Sequence, residues 1–320
     1  MLKNLIRILL FFVIIIFIFI LYLSFFGIKT KQFNELIKSE IVKQDSRLKI
    51  DLEEVFIKLN IKERSFFLNS RDVEIYINNE KQKIANVDLF IGFKSLIKKN
   101  NKINKNLINS NENEISSLLK FVRSYKINIP ALYLENSVTK GKIIYDIDIN
   151  FNRKNLDQIK VSGKIIDTEL NILGKETIND INLLFKYENQ KLELINSKLK
   201  YNNIKFLSKN ISSKIKKNLV YINGDFENKI NSDLFLTLFN YDLGDYLNKT
   251  EIFPSKTSFN LVLNKKFKIK DYNLESKIDI KDTNLHLKNL DLKNYIKDFK
   301  NKIILNDGVL NLSYGNKKKI

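Results

Sequence analysis

The stretch Ile143-Ile144-Tyr145-Asp146-Ile147-Asp148-Ile149-Asn150-Phe151-Asn152 sets an apolar side chain at every odd position. Beyond Ile144, the even positions are filled by Asp146, Asp148, Asn150 and Asn152. Successive side chains of a strand point to opposite sides, so this period of two describes a strand with one dry face and one wet face. The same grammar recurs downstream in Ile181, Leu183, Phe185 and Tyr187, in Leu234, Leu236 and Leu238, and in Phe259, Leu261 and Leu263. Ile278 with Ile280, Leu285 with Leu287, and Leu310, Leu312 and Tyr314 carry it to the end. Upstream it appears in Val55, Ile57, Leu59 and Ile61, in Val73, Ile75 and Ile77, and in Val87, Leu89, Ile91 and Phe93. The alternation predicts a mainly β fold of antiparallel strands with a few short helices.

The turns of such a chain normally use glycine and proline, yet there are only 9 glycines and 2 prolines in 320 residues. Asparagine is the substitute, because its short polar side chain tolerates the left-handed backbone of a tight turn. The formal charge is +19, and all but six of the 55 basic residues are lysine, the exceptions being Arg7, Arg47, Arg64, Arg71, Arg123 and Arg153. Nucleic-acid binders favour arginine for bidentate contacts. Here the lysines are dispersed along the strands, so no nucleic-acid partner is expected. The excess of lysine, asparagine and isoleucine reads first as the codon bias of an AT-rich genome. Attraction to anionic lipid headgroups is the second reading.

Ile8 to Ile28 is a run of 21 residues without a charge. At 1.5 Å per residue a helix of that length reaches about 31 Å, which matches a hydrocarbon core of ~30 Å. A cleavable signal peptide has a shorter apolar region and a small-residue cleavage site. This one closes on the bulky Tyr22-Leu23-Ser24-Phe25-Phe26, which predicts an uncleaved anchor over residues 1–30. A short amphipathic helix over 31–46 follows, with Phe33, Leu36, Ile37 and Ile41 on one stripe. It either caps the first strands or lies on the membrane surface. Residues 47–99 read as an N-terminal β region. Residues 100–124 read as a flexible asparagine-rich linker and a short helix, in which Asn111 and Glu114 have capping-box spacing and Ile115, Leu118, Leu119 and Val122 form the stripe. A further short helix is read from Leu292, Tyr295, Ile296 and Phe299. Residues 125–320 read as repetitive β structure. Asp242-Leu243-Gly244-Asp245-Tyr246-Leu247-Asn248 returns as Asp291-Leu292-Lys293-Asn294-Tyr295-Ile296-Lys297, the kind of spacing that stacked supersecondary units produce.

Residues that carry chemistry are sparse. There is no cysteine, and the single histidine, His286, falls on the polar side of an alternating run. No nucleophile and base can be assembled from that inventory. Glycine-rich phosphate loops and zinc-protease motifs are missing. Asp146 and Asp148 share a wet face and read as surface alternation. The Asn-x-Ser/Thr triplets at Asn210, Asn248 and Asn311 read as chance in so asparagine-rich a chain. No enzyme activity, cofactor or metal is expected.

An apolar N-terminal helix, a short second helix, and then the strand Ala85-x-Val87-x-Leu89-x-Ile91-x-Phe93-x-Ser95-Leu96-Ile97 together resemble the AsmA-like superfamily of AsmA, TamB and YhdP types. The strand-rich body with its Asp-Leu-x-x-Tyr turns is similar to the repeating region of the YhdP type. That resemblance implies an elongated antiparallel sheet curled lengthwise into a groove, a β-taco, that conducts phospholipid between the two membranes of a Gram-negative envelope. It implies a single-pass protein of the bacterial inner membrane, held through residues 8–28, with its bulk in the periplasm. Groove-lining candidates are Ile143, Tyr145, Ile147, Ile149, Phe151, Ile181, Leu183, Phe185, Tyr187, Leu234, Leu236, Leu238, Phe259, Leu261 and Leu263. About sixteen strands at ~4.8 Å each would span about 75 Å. Bridge-forming members are much longer than this chain. Either it is the N-terminal part of a larger protein, or its C-terminal edge pairs with a further β-groove chain or partner. The alternative from the residues alone is a membrane-tethered structural or assembly scaffold whose strands close into a β-sandwich with a packed core.

Overall fold

The computed structural model describes residues 2–32, 34–93, 103–125, 129–150, 159–172, 174, 176–231, 252–264, 268–286, 296–297 and 302–315. The described chain is mainly β. Helix α1 (Leu2–Phe25) and α2 (Asn34–Gln44) come first, with β1 (Ile28–Thr30) between them. Next are β2 (Leu48–Asp51), β3 (Val55–Asn60), β4 (Ser65–Ile77), β5 (Glu80–Gly92), β6 (Ile103–Ser110) and β7 (Asn113–Glu114). Helices α3 (Ile115–Tyr125) and α4 (Ile129–Ser137) precede β8 (Val138–Asn150), β9 (Ile159–Ile172) and β10 (Glu176–Glu188). The chain continues with β11 (Lys191–Tyr201), β12 (Ile204–Lys216), β13 (Leu219–Ile230), β14 (Phe253–Asn264), β15 (Ile269–His286) and β16 (Lys302–Gly315). By hydrogen bonding these sixteen strands form one open sheet that follows chain order from β3 onward. β1 lies on β3, while β2 pairs β4 and β7 pairs β8 as short side branches. Among the described residues no second sheet faces it, so the closed sandwich is not what these strands build.

Asparagine turns the chain as its backbone tolerance suggests. The two-residue hairpins at Asn78-Asn79, Asn189-Gln190, Asn202-Asn203 and Lys217-Asn218 all hold both residues at positive φ, which is the requirement of a type I′ turn.

The chain forms two compact units, Met1–Thr168 with Lys186–Asn189, and Glu169–Phe185 with Gln190–Ile320. Both use one device inside their strands. In the first unit Val73 pairs Ile84 and Ile84 pairs Ser110, while Ser70 pairs Val87 and Val87 pairs Ile108. Cross-strand partners share a side of the sheet. The two rows are three residues apart on β4 and β5 but two apart on β6, so β4 and β5 each hold one extra residue. Asp72, at φ 49°, takes up that residue in β4. In the second unit Asn196, at φ 51°, does the same between Leu194 and Ser197. β12 matches it with a register shift between Leu207 and Ile211. Asp167 and Asp180 also lie mid-strand at positive φ. A bulge lets the dry face change from odd to even positions without turning the sheet over, and it bends the strand.

In the first unit the dry face is partly roofed. α3 packs on β4, β5 and β8 and contacts α4. Its Ile115 is buried with Val73, Ile77, Ile84, Ile143 and Tyr145. Arg123 of α3 donates from Nε to Glu135 Oε2 of α4 at 2.6 Å and from Nη2 to Oε1 at 3.2 Å. α2 packs on β2, and its Asn34 donates to the carbonyls of Leu52 and Glu53. That contact realises the capping alternative for this helix.

Three expectations need correction. The flexible linker over 100–110 is instead β6 from Ile103, because β5 and β8 both pair with it and satisfy its backbone on two sides. The helix after it begins at Ile115 and not at the Asn111 cap, since Asn113 and Glu114 are drawn into β7 by Ile143 and Lys142. Residues 125–320 begin with a helix that the alternation does not announce: α4 sits at 129–137, with Pro130 in its first turn, where a missing N–H is harmless. Where a membrane anchor is expected over 1–30, the structure has α1, a 24-residue helix. Among the described residues no helix is long and apolar enough to cross a membrane. The repeated Asp-Leu-x-x-Tyr segments and most of the helix expected around Tyr295 lie outside the described residues.

Candidate apolar binding face

In the second unit the register defines both faces row by row. Leu199, Phe206, Asn228, Ser255, Ile278 and Leu310 are successive partners from β11 to β16. Parallel rows on the same side run Leu192, Ser213, Ile222, Leu261, Tyr272, and Leu194, Ile211, Gly224, Phe259, Leu274, Tyr314. The opposite side reads Leu207, Glu227, Lys256, Lys277, Asn311. There Lys256 lies 3.4 Å from Asp225 and 3.8 Å from Glu227. One side is oily and the other is an ion-paired, hydrated surface.

Aromatic rings bind the oily side together. Phe206 and Phe226 meet edge to face at 6.0 Å, and Phe226 stacks on Phe259 at 5.1 Å. Gly224 is required beside them, because a Cβ there would lie 2.9 Å from Ile211 Cγ1 and 3.1 Å from the Phe259 ring. At one end Ile230, Phe253 and Ile278 form a buried cluster backed by Ile204, Ile280, Leu310 and Leu312. Elsewhere Phe206, Phe226, Phe259, Ile222 and Leu261 are only half-buried. From β11 to β16 each strand packs on its neighbours in the sheet, and among the described residues no helix or second layer rests on this face. Small polar side chains lie along the mid-line. Ser197 and Ser208 are cross-strand partners and are almost wholly buried, and the Ser276 hydroxyl lies 3.2 Å from that of Ser255 and 2.8 Å from that of Thr257.

The fifteen candidates read from sequence divide accordingly. Phe259, Leu261 and Leu263 lie on the oily side of β14, with Leu263 buried against its partner Val220. Ile181, Leu183 and Phe185 belong to β10 in the same unit, with Ile181 buried. Ile147 and Ile149 face Ile108 and Asn106 in the first unit and are half-buried, as is Tyr187. Ile143 and Tyr145 are buried on the strand that α3 packs against, so in place of open surface they hold a roof. Burial pushes the Tyr145 phenol up to about 12. Phe151, Leu234, Leu236 and Leu238 lie outside the described residues. Sequence reading missed the face of β11–β13, whose phase change at Asn196 broke the alternation it sought.

The polar candidates have ordinary partners. Asp146 accepts from Asn109 at 2.7 Å, and Asp148 lies 3.3 Å from Lys105 Nζ. Among the described residues no group of three or more His, Cys, Asp or Glu side chains is placed to hold a metal ion. Compared with protein-family models, with curated proteins and with solved structures, the chain matches none of them.

Proposed function

We propose that this is a membrane-anchored protein of AsmA-like type whose oily sheet face binds or conducts phospholipid acyl chains. The carrying observation is the half-buried face of β11–β16, where a packed core would have excluded water from Phe226, Phe259 and Leu261. Apolar side chains left in that state gain when a hydrocarbon covers them, by about 0.8 kcal/mol for each methylene removed from water. The wet, lysine-bearing side remains available to solvent and headgroups. α1 supports the anchor: every side chain from Leu9 to Ile20 is between 37% and 63% exposed. Such a helix is oily all round instead of along one stripe, which suits a lipid environment. Its 24 residues extend about 36 Å at 1.5 Å each. On this reading the sheet lies in the periplasm of a Gram-negative envelope and serves lipid traffic toward the outer membrane. The test is to extract the full-length chain into lipid nanoparticles without detergent, strip loose lipid, and identify what remains by native mass spectrometry. Phospholipid adducts that disappear when Leu261 is replaced by Asp support the reading. A chain free of lipid refutes it and leaves a tethered scaffold.

A further inference from the structure

The tip of the β3–β4 hairpin sits beside the end of α1. β1 pairs Ile28 with Ile57 and Thr30 with Val55, antiparallel, so the chain followed back from Ile28 to Ser24 runs beside Lys58 to Lys62. A cleft of about 580 Å³ opens there, lined by Ser24, by Lys58, Ile61 and Lys62 of the hairpin, and by Phe67 and Phe90. The two rings meet at 5.2 Å on the side of the sheet that also carries Phe56, Asn69, Asn86 and Asp88. Ile61 is 50% exposed at the tip. Asn60 Oδ1 accepts from the Glu63 N–H at 3.1 Å, and the Ile61 carbonyl accepts from the Arg64 N–H at 3.2 Å, so the turn is fixed. Lys29, Lys81 and Lys105 are each paired with a carboxylate. Lys58 and Lys62 have no such partner among the described residues.

A single exposed isoleucine is ordinary surface. Here it coincides with unpaired lysines, an aromatic wall, and the point where an oily helix leaves the sheet. We propose that this cleft holds the headgroup of an anionic phospholipid in the leaflet from which α1 emerges. Lys58 and Lys62 meet the phosphate as point charges. Phe67 and Phe90 cover the glycerol and first methylenes, and Ile61 enters the interface. Glu63 at the tip opposes this weakly, and Arg64 offsets it. The site rests on the reading of α1 as a membrane anchor.

The full-length chain in phosphatidylcholine nanodiscs, with phosphatidylglycerol added, is probed with two photoactivatable phosphatidylglycerols. One carries its reactive group at the headgroup and the other at the acyl terminus, and labelled peptides are mapped by mass spectrometry. The expected result is headgroup labelling within residues 58–64 and acyl labelling within α1. Lys58→Gln with Lys62→Gln should lower the headgroup labelling about 30-fold, roughly fivefold for each lysine near an anionic surface. Both positions are polar and reach solvent, so amide exchange in β3 and β4 stays unchanged and reports an intact fold. Acyl labelling of α1 with no headgroup labelling of the hairpin, or with labelling indifferent to the substitutions, overturns the site and leaves the anchor standing. An α1 that takes no acyl label removes the anchor reading, and the site falls with it.

Discussion

Leu261→Asp separates an open apolar face from a packed core by magnitude. Leu261 lies between Ile222 and Tyr272 on the oily side and is half-buried. Full burial of a leucine side chain is worth about 1.5–3 kcal/mol, so two thirds of the lower figure accounts for about 1 kcal/mol. Aspartate is a poor strand residue, and up to about 1 kcal/mol follows from that. With water in reach, the carboxylate stays hydrated and adds little. The sum is about 2 kcal/mol. Under a facing layer the same substitution would bury an unpaired charge, and the loss would exceed about 5 kcal/mol. The assay is amide hydrogen exchange of the full-length chain in nanodiscs, followed at the peptides of β13, β14 and β15. Exchange there reports opening free energies. An open face predicts exchange faster by roughly 30-fold, confined to these strands. Complete loss of protection throughout the second unit would refute the reasoning.

Further outcomes follow from other sites. Burial holds the Tyr145 phenol near 12 against an ordinary 10.0, so the fold favours the neutral form. That stabilisation is whole below pH 10 and is lost as pH rises from 10 to 12, reaching about 2–3 kcal/mol above it; the difference in unfolding between wild type and Tyr145→Phe across this window should show it. Asn202→Ala at the I′ turn should destabilise the β11–β12 hairpin by about 1 kcal/mol, while Asn202→Gly should be neutral or better, read as exchange at Leu199 and Phe206. Arg123→Ala removes both bonds to Glu135 and should expose α3 and α4 to faster exchange, leaving β14 unaffected.

Where a strand kept one phase, its sequence was enough: Ile143 to Ile149 and Phe259 to Leu263 lie on the sides their spacing predicts. Where a bulge intervened, the signal split into two short series out of step, as in Phe66, Leu68, Ser70 against Val73, Ile75, Ile77. The aspartate or asparagine between such series, Asp72, Asp167, Asp180 or Asn196, was the available clue, since these residues tolerate positive φ best after glycine. β6 was obscured because its asparagines match a loop composition, and only pairing on both edges makes it a strand. That Ile143 and Tyr145 are buried beside a helix while Leu261 is left uncovered was not legible, because alternation marks a dry face without saying what covers it.

The central claim is that hydrocarbon lies on one side of the second unit and water on the other. The chain has no cysteine or tryptophan, so a photoreactive side chain can be placed singly at Asn260, Leu261 and Val262 in living cells whose phospholipids are radiolabelled. The account predicts a lipid adduct at Leu261 and none at Asn260 or Val262. Equal adducts at all three positions, or none at Leu261, would contradict it.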